Sequence, residues 1–186
     1  MADTILTLKQ FEDVFRNIIC TLLGLNSIDP LNASKVRIAW PTGGAPGWKI
    51  ADDVIFIRAR TVSDPYTKQR DTVYSPNTSS TLNNITCYTR TIGVSLTAYG
   101  PNSFDNLEGV RNGFFKQAEE LARSNLYLII DVPLPTRLPE LFNGQWWERS
   151  DLTVMFYEKV TIQSTVPAIG EADIGFLKAG IIIEGS

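Results

Sequence analysis

Two stretches of this chain alternate between apolar and polar residues, and they commit it to a sheet with one buried face. In Cys87 to Tyr99, Ile92, Val94, Leu96 and Ala98 share one parity, and Thr91, Gly93, Ser95 and Thr97 share the other. Successive side chains of a strand point to opposite faces, so this pattern describes a half-buried strand of the antiparallel kind. Asp151 to Gln163 repeats it, with Leu152, Val154, Phe156, Val160 and Ile162 on the inward side.

Helical spacing supplies the cover. Leu8, Phe11, Val14, Phe15, Ile18, Ile19 and Leu22 recur on one stripe, Thr7 and Gln10 stand at capping-box spacing, and Gly24 offers a stop. A second stripe runs through Leu107, Val110, Phe114, Ala118 and Leu121, with Asn102 or Ser103 as its cap. Gly109 and Gly113 lie four apart on that helix and suit close approach to a neighbouring element.

Shorter strand candidates are Val36 to Trp40, Asp53 to Thr61 and Leu126 to Val132. The Gly/Pro run 41-PTGGAPGW-48 separates the first two. The segment 133-PLPTRLPELFNGQ-145 carries three prolines and an Asn-Gly turn. A last apolar segment, Ile174 to Ile183, is interrupted by Gly175 and Gly180 and predicts a bent strand. Residues 62–86 break every pattern: they are polar, hold two prolines and lack periodicity. A loop of that length is more often functional than structural, so we expect a protruding arm that takes up order against a neighbouring molecule. The sum is one α+β domain over residues 1–186: a mostly antiparallel mixed sheet, two helices on one face, and the arm.

Composition narrows the chemistry. The chain has 186 residues, a net charge of -3 and no histidine. Without histidine there is no Ser-His-Asp or Cys-His arrangement and no ordinary metal-binding cluster. The glycines of 43–47 lack the Gly-Lys-Ser/Thr ending of a phosphate loop and precede a strand. An acidic balance argues against gripping nucleic acid through its phosphates. The N-terminus, MADTILTLKQ, does not read as a secretory signal, and no apolar run is long enough to span a bilayer. Cys20 and Cys87 are distant, without a partner motif, and read as free thiols. We therefore expect no catalytic residue, cofactor, metal or membrane contact.

What remains is contact surface. Trp146 and Trp147 stand side by side before the long C-terminal strand, followed by Arg149 and Asp151, two apart and on one strand face. Such a pair of tryptophans either packs under the Pro-rich loop and the sheet edge or anchors an interface, where Trp and Arg are enriched. On the arm, Tyr66, Lys68, Arg70 and Tyr74 are the corresponding candidates.

Three stretches carry a resemblance. The signature 147-WERSDLTVMFYEKV-160, with 39-AWPTGGAPGWKIADDVIFIR-58 and 88-YTRTIGVSLTAYGPNSFDNLEGVR-111, resembles the tail terminator or neck proteins of tailed bacteriophages. The resemblance covers about residues 5 to 183. It implies a structural virion protein that forms a homo-oligomeric ring, typically of six copies. The ring would cap the tail tube and join it to the head-tail connector or adaptor, next to the tail sheath where one exists. Genomic DNA would pass through the lumen without specific binding, and assembly would occur in the host cytoplasm. Another virion ring component, for head completion or the baseplate, is the alternative within the class. A small cytoplasmic enzyme or ligand-binding module is the alternative outside it.

Overall fold

The computed structural model describes residues 5–40, 44 and 47–169. The bent strand expected at 174–183 lies outside them. In chain order the helices are α1 (Leu8–Leu22), α2 (Pro30–Ala33), α3 (Ser103–Phe114) and α4 (Ala118–Arg123). The strands are β1 (Val36–Ile38), β2 (Val54–Val62), β3 (Arg70–Pro76), β4 (Thr81–Tyr99), β5 (Leu126–Leu128), β6 (Thr136–Arg137), β7 (Glu140–Phe142), β8 (Gln145–Trp147) and β9 (Arg149–Pro167). This is the expected α+β architecture. The main sheet runs β1-β2-β4-β9-β5, with β3 on β4 and β6 on β9; only β1 and β2 pair in parallel.

Strands β4 and β9 are the spine. They pair antiparallel over their whole nineteen residues, from Thr81 opposite Pro167 to Tyr99 opposite Arg149. That register sets Ile92 against Phe156, Val94 against Val154 and Leu96 against Leu152, all on the face the helices cover. Helix α1 starts with the predicted capping box: the Gln10 amide donates to Thr7 Oγ1, and the Thr7 amide donates to Gln10 Oε1. It ends with Gly24 at φ +66 and amides of Gly24 and Leu25 donating back to Thr21 and Cys20, a left-handed termination that glycine tolerates best. Phe15 of α1, Phe114 of α3 and Phe156 of β9 close the core as one ring cluster, with centroids 4.6 to 6.3 Å apart.

Four expectations are corrected. The second stripe is two helices, since the chain turns after Phe114 and restarts at Ala118; Leu107, Val110, Phe114 and Leu121 still reach one core. Gly113 does permit close approach, because a Cβ there would lie 2.5 Å from Leu22 Cδ2, whereas Gly109 faces open space. Asn102 stands at the cap of α3 but makes no side-chain cap; its backbone amide and Nδ2 donate to the Asp53 carboxylate at 3.0 and 2.8 Å. The strand expected over Leu126 to Val132 stops at Leu128.

The largest correction concerns residues 62–86. They are not an unpaired loop awaiting a neighbour. Pro65–Lys68 is a 3-10 turn, and Arg70–Pro76 pairs with Leu82–Tyr88 within the chain. The far halves of β4 and β9 complete a three-stranded ribbon whose β3 residues are almost all exposed. Alternation reports burial, and β3, which has no buried residue, gives none.

At the root of that ribbon the inward parity of β9 carries an acid. Glu158 has no exposed surface, and its Oε2 accepts from Arg90 Nε at 2.6 Å. Glu158 Oε1 accepts from the Leu6 amide at 3.1 Å, and Arg90 Nη2 donates to the Leu6 carbonyl at 2.6 Å. Removing one member of a buried pair strands the other. Arg90→Leu is expected to cost about 3 kcal/mol in urea denaturation, and Arg90→Leu with Glu158→Leu to recover most of it. Gly100 joins β4 to α3 at φ +108, and a Cβ there would sit 2.5 Å from Asp53 Oδ1 and 2.6 Å from the Asp52 carbonyl. Gly100→Ala is therefore expected to lower stability by about 2 kcal/mol or more in the same assay.

Candidate interaction surface

Because the helices occupy one face, the odd-numbered residues of β4 and β9 and the even-numbered residues of β2 point to the other. Among the described residues this second face carries no α-helix, and three clefts open on it. Aromatic side chains gather at its two ends.

The first end is built by the β7–β8 hairpin. Asn143 and Gly144 both take positive φ, 49 and 73 degrees, and Phe142 pairs with Gln145 across them, the geometry that Asn-Gly favours in a two-residue hairpin. The hairpin thereby lays Trp147 edge-on to Trp48, at a centroid distance of 6.2 Å and an interplanar angle of 85 degrees. Trp48 also packs on Phe56 at 5.0 Å and Tyr99 at 5.5 Å, and Phe142 meets Trp147 at 6.0 Å. Both indole nitrogens, of Trp48 and Trp147, are buried without an oxygen partner. Trp48, Tyr99, Phe142 and Trp147 line a cleft of about 360 Å³ with Gly47 and Glu140.

Charges fix this cluster in place. Arg149 grips Asp151 with two bonds, Nε to Oδ1 at 3.1 Å and Nη2 to Oδ2 at 2.7 Å, and its Nη1 reaches Glu140 Oε2 at 3.2 Å. The Tyr99 hydroxyl donates to the same Glu140 oxygen at 3.0 Å. The bond to Asp151 holds the Arg149 guanidinium above its ordinary pKa. Burial pushes the Tyr99 hydroxyl up, and its bond to Glu140 adds to the shift. Both groups therefore keep one protonation state across the neutral range.

The second end lies at the ribbon root. Tyr66, on the 3-10 turn, meets Tyr157 edge-on at 6.2 Å. With Tyr127, Cys87, Asp71 and Lys159 they line a cleft of about 410 Å³. Arg70 stacks over the Tyr88 ring at 4.2 Å, while Lys68 and Tyr74 are exposed.

The eight residues picked from sequence thus fall into two groups. Trp147, Arg149 and Asp151 meet in the hairpin cluster, with Trp146 on the hairpin's outer side at 67% exposure. Tyr66, Lys68, Arg70 and Tyr74 belong to the arm. Sequence reading missed Trp48, Phe56, Tyr99, Glu140 and Phe142 at one end and Tyr127 and Tyr157 at the other. The outward parity of Phe56, Tyr99 and Tyr157 was available as a signal. For Trp48, behind a Gly/Pro turn, there was none.

No three His, Cys, Asp or Glu side chains lie close enough to hold a metal among the described residues. No helix there is long and apolar enough to cross a membrane. Rings, guanidinium groups and carboxylates on an open sheet face define a protein whose working parts are surfaces. The family model for phage neck terminator protein matches residues 9–184, and the chain belongs to that family. It is accordingly a structural protein of the phage neck, located in the virion and built to contact other head or tail proteins. No curated protein matches it.

The two tryptophans should separate cleanly. Trp147→Ala is expected to cost about 2 kcal/mol in urea denaturation, because it opens the ring cluster. Trp146→Ala is expected to cost under about 0.5 kcal/mol, as for other exposed positions.

Proposed function

We propose that this chain acts as a ring of identical copies, six in number, at the phage neck. The ring closes the end of the tail tube and joins it to the head-tail connector, beside the sheath if the tail has one. It assembles in the host cytoplasm and lets genomic DNA through without specific binding. The supporting observation is the ribbon formed by β3 and the far halves of β4 and β9. It extends beyond the helix-covered core, and among the described residues β3 is paired on one side only, with β4. An open strand edge can continue a neighbour's sheet, and a ring needs such heterologous contacts, one surface meeting a different one on the next copy. Residues 62–86, with Tyr66, Lys68, Arg70 and Tyr74, are on this reading the arm that reaches the next subunit or the tube. The overall acidity of the chain, at -3, favours free passage of phosphate over capture.

Thr72 pairs with Thr86, so residues 72–86 can be replaced by a Gly-Ser turn without parting the strand ends. The trimmed protein is expected to melt within a few degrees of the parent. It should fail to form rings in negative-stain micrographs and fail to restore infectious particles to a phage lacking the native protein. Normal particles from the trimmed protein would refute the arm's role. Rings that bind heads or baseplates, but never tail tubes, would reassign it to another virion ring.

A further inference from the structure

Charge is not spread evenly over this chain. On the helix-free face the strands present Arg37, Arg58, Arg60, Arg149 and Lys159 against Asp71 and Asp151. The β7–β8 hairpin at one end adds Glu140 and, beside it, the Glu148–Arg137 pair. Lys49 with Asp52, and Lys68 with Asp64, cancel in the loops at the two ends. With all of these counted, eight cations stand against six acids on this face, in a chain whose net charge is -3.

The surplus sits in the middle of the face. Arg149 is held by Asp151 and Glu140, Arg137 by Glu148, and Arg37 lies over the Trp48 ring in the hairpin cluster. Arg58, Arg60 and Lys159 make no ion pair among the described residues. Arg58 is stacked on Trp40 at 5.1 Å, and Arg60 lies across Gly93, where an added Cβ would come within 3.3 Å of its Nε. By register Arg58 stands level with Thr153, through Ser95, so the three cations span six positions of β9, roughly 20 Å at strand rise. Thr89, Ser95 and Thr153 share the face with them, and Asp151 and Asp71 lie beyond the two ends of that span.

Cations and hydroxyls over such a length, with no acid between them, complement a polyanion. A duplex carries one charge per about 1.7 Å of axis, hence about a dozen phosphates over the same distance. Arg, Lys, Ser and Thr are among the side chains that meet phosphate. We propose that the helix-free face is the surface turned toward the genome as it passes the neck, with Arg58, Arg60 and Lys159 touching duplex phosphates and reading no sequence. This rests on the ring reading above, in which the genome threads the assembly, and adds which face lines the channel. Three contacts per copy are few and pass from one phosphate to the next, so the duplex slides.

With the full-length protein, anisotropy of a labelled mixed-sequence duplex at low salt is expected to report binding that weakens with a log–log salt slope of about -3 for each copy. Arg58→Gln with Arg60→Gln and Lys159→Gln should weaken it at least tenfold and flatten the slope, with the melting temperature unchanged. Lys9→Gln with Lys35→Gln and Lys116→Gln, an equal loss of charge on the helix side, should leave it within twofold. In assembled particles, Thr153→benzoylphenylalanine should photocross-link to DNA during ejection, whereas the same group at the exposed Asn112 of α3 should not. No duplex binding, equal losses in the two triple variants, or DNA adducts from position 112 alone would each overturn the proposal. A first triple variant that binds DNA as the parent does but no longer joins tails to heads would overturn it in favour of an acidic protein partner. Adducts absent from particles that hold the protein and eject normally would sink this inference and leave the ring standing; infectious particles formed without the protein would sink both.

Discussion

The pair Arg90–Glu158 holds the two parts of this molecule together. It lies across the β4–β9 ladder, two positions beyond Ile92 with Phe156 and hence the next pair on the same face. On one side of it the sheet is covered by helices, and on the other the ribbon runs out uncovered. An ion pair in this position has little to offer as net stability, since taking both charges out of water costs about what their attraction returns. Its bonds to both backbone groups of Leu6 give it a different use. They fix where the chain enters α1, one residue before the capping Thr7, and so set how that helix lies on the sheet. A hydrophobic pair would fill the same space but would not specify that entry.

From there the two faces diverge in kind. The helix side is a closed aliphatic and phenylalanine core. Ser150 and Ser103, with hydroxyls 3.3 Å apart, are its buried polar link between β9 and the start of α3. The opposite face buries little except at its ends, where rings stack against each other and arginines lie over them: Arg37 over Trp48, Arg149 over Tyr99, Arg58 over Trp40. Stacked rings held by ion pairs are stiff, and stiffness lowers the entropy lost on docking. The geometry suits a surface offered to other molecules more than a container for a ligand.

The sequence was legible wherever burial was one-sided. Ile92 to Ala98 and Leu152 to Phe156 announced their strands through parity, and Thr7, Gln10 and Gly24 announced both ends of α1. The Asn143-Gly144 turn was visible because only a few residue types accept its backbone angles. The arm's place was legible from its polar, aperiodic run, but the strand inside it was not, because Arg70 to Pro76 has no buried side and hence no alternation to read. Glu158 was passed over for a related reason: an acid on the inward parity contradicts the pattern. Its meaning depends on Arg90, sixty-eight residues away. The break between α3 and α4 was hidden because both halves feed the same core, which preserves the stripe while the backbone turns. The family resemblance rested on those strands and the loops around them. It located the class correctly and said nothing of which face would be open.

The ribbon itself poses the last physical question, namely what keeps it extended. Most of its β3–β4 cross-strand pairs include a polar residue, as in Thr72 with Thr86, Tyr74 with Asn84 and Ser75 with Asn83; Val73 with Ile85 and Pro76 with Leu82 are the apolar ones. Each such pair contributes on the order of 0.2–1 kcal/mol, and a two-stranded hairpin of this composition is marginal in water. Here β9 adds a third strand, with Thr86 opposite Ile162 and Cys87 opposite Thr161, so the ribbon continues a ladder already nucleated in the core. Continuation avoids the entropic cost of starting a new sheet, and that explains how the projection persists without a hydrophobic face. It also means that the outermost turn, Asn77 to Ser80, is held mainly by Thr81, whose carbonyl accepts the amides of Asn77 and Thr78. The tip is thus the most deformable part of the ribbon, able to adapt to what it meets while the root stays fixed at Arg90 and Glu158.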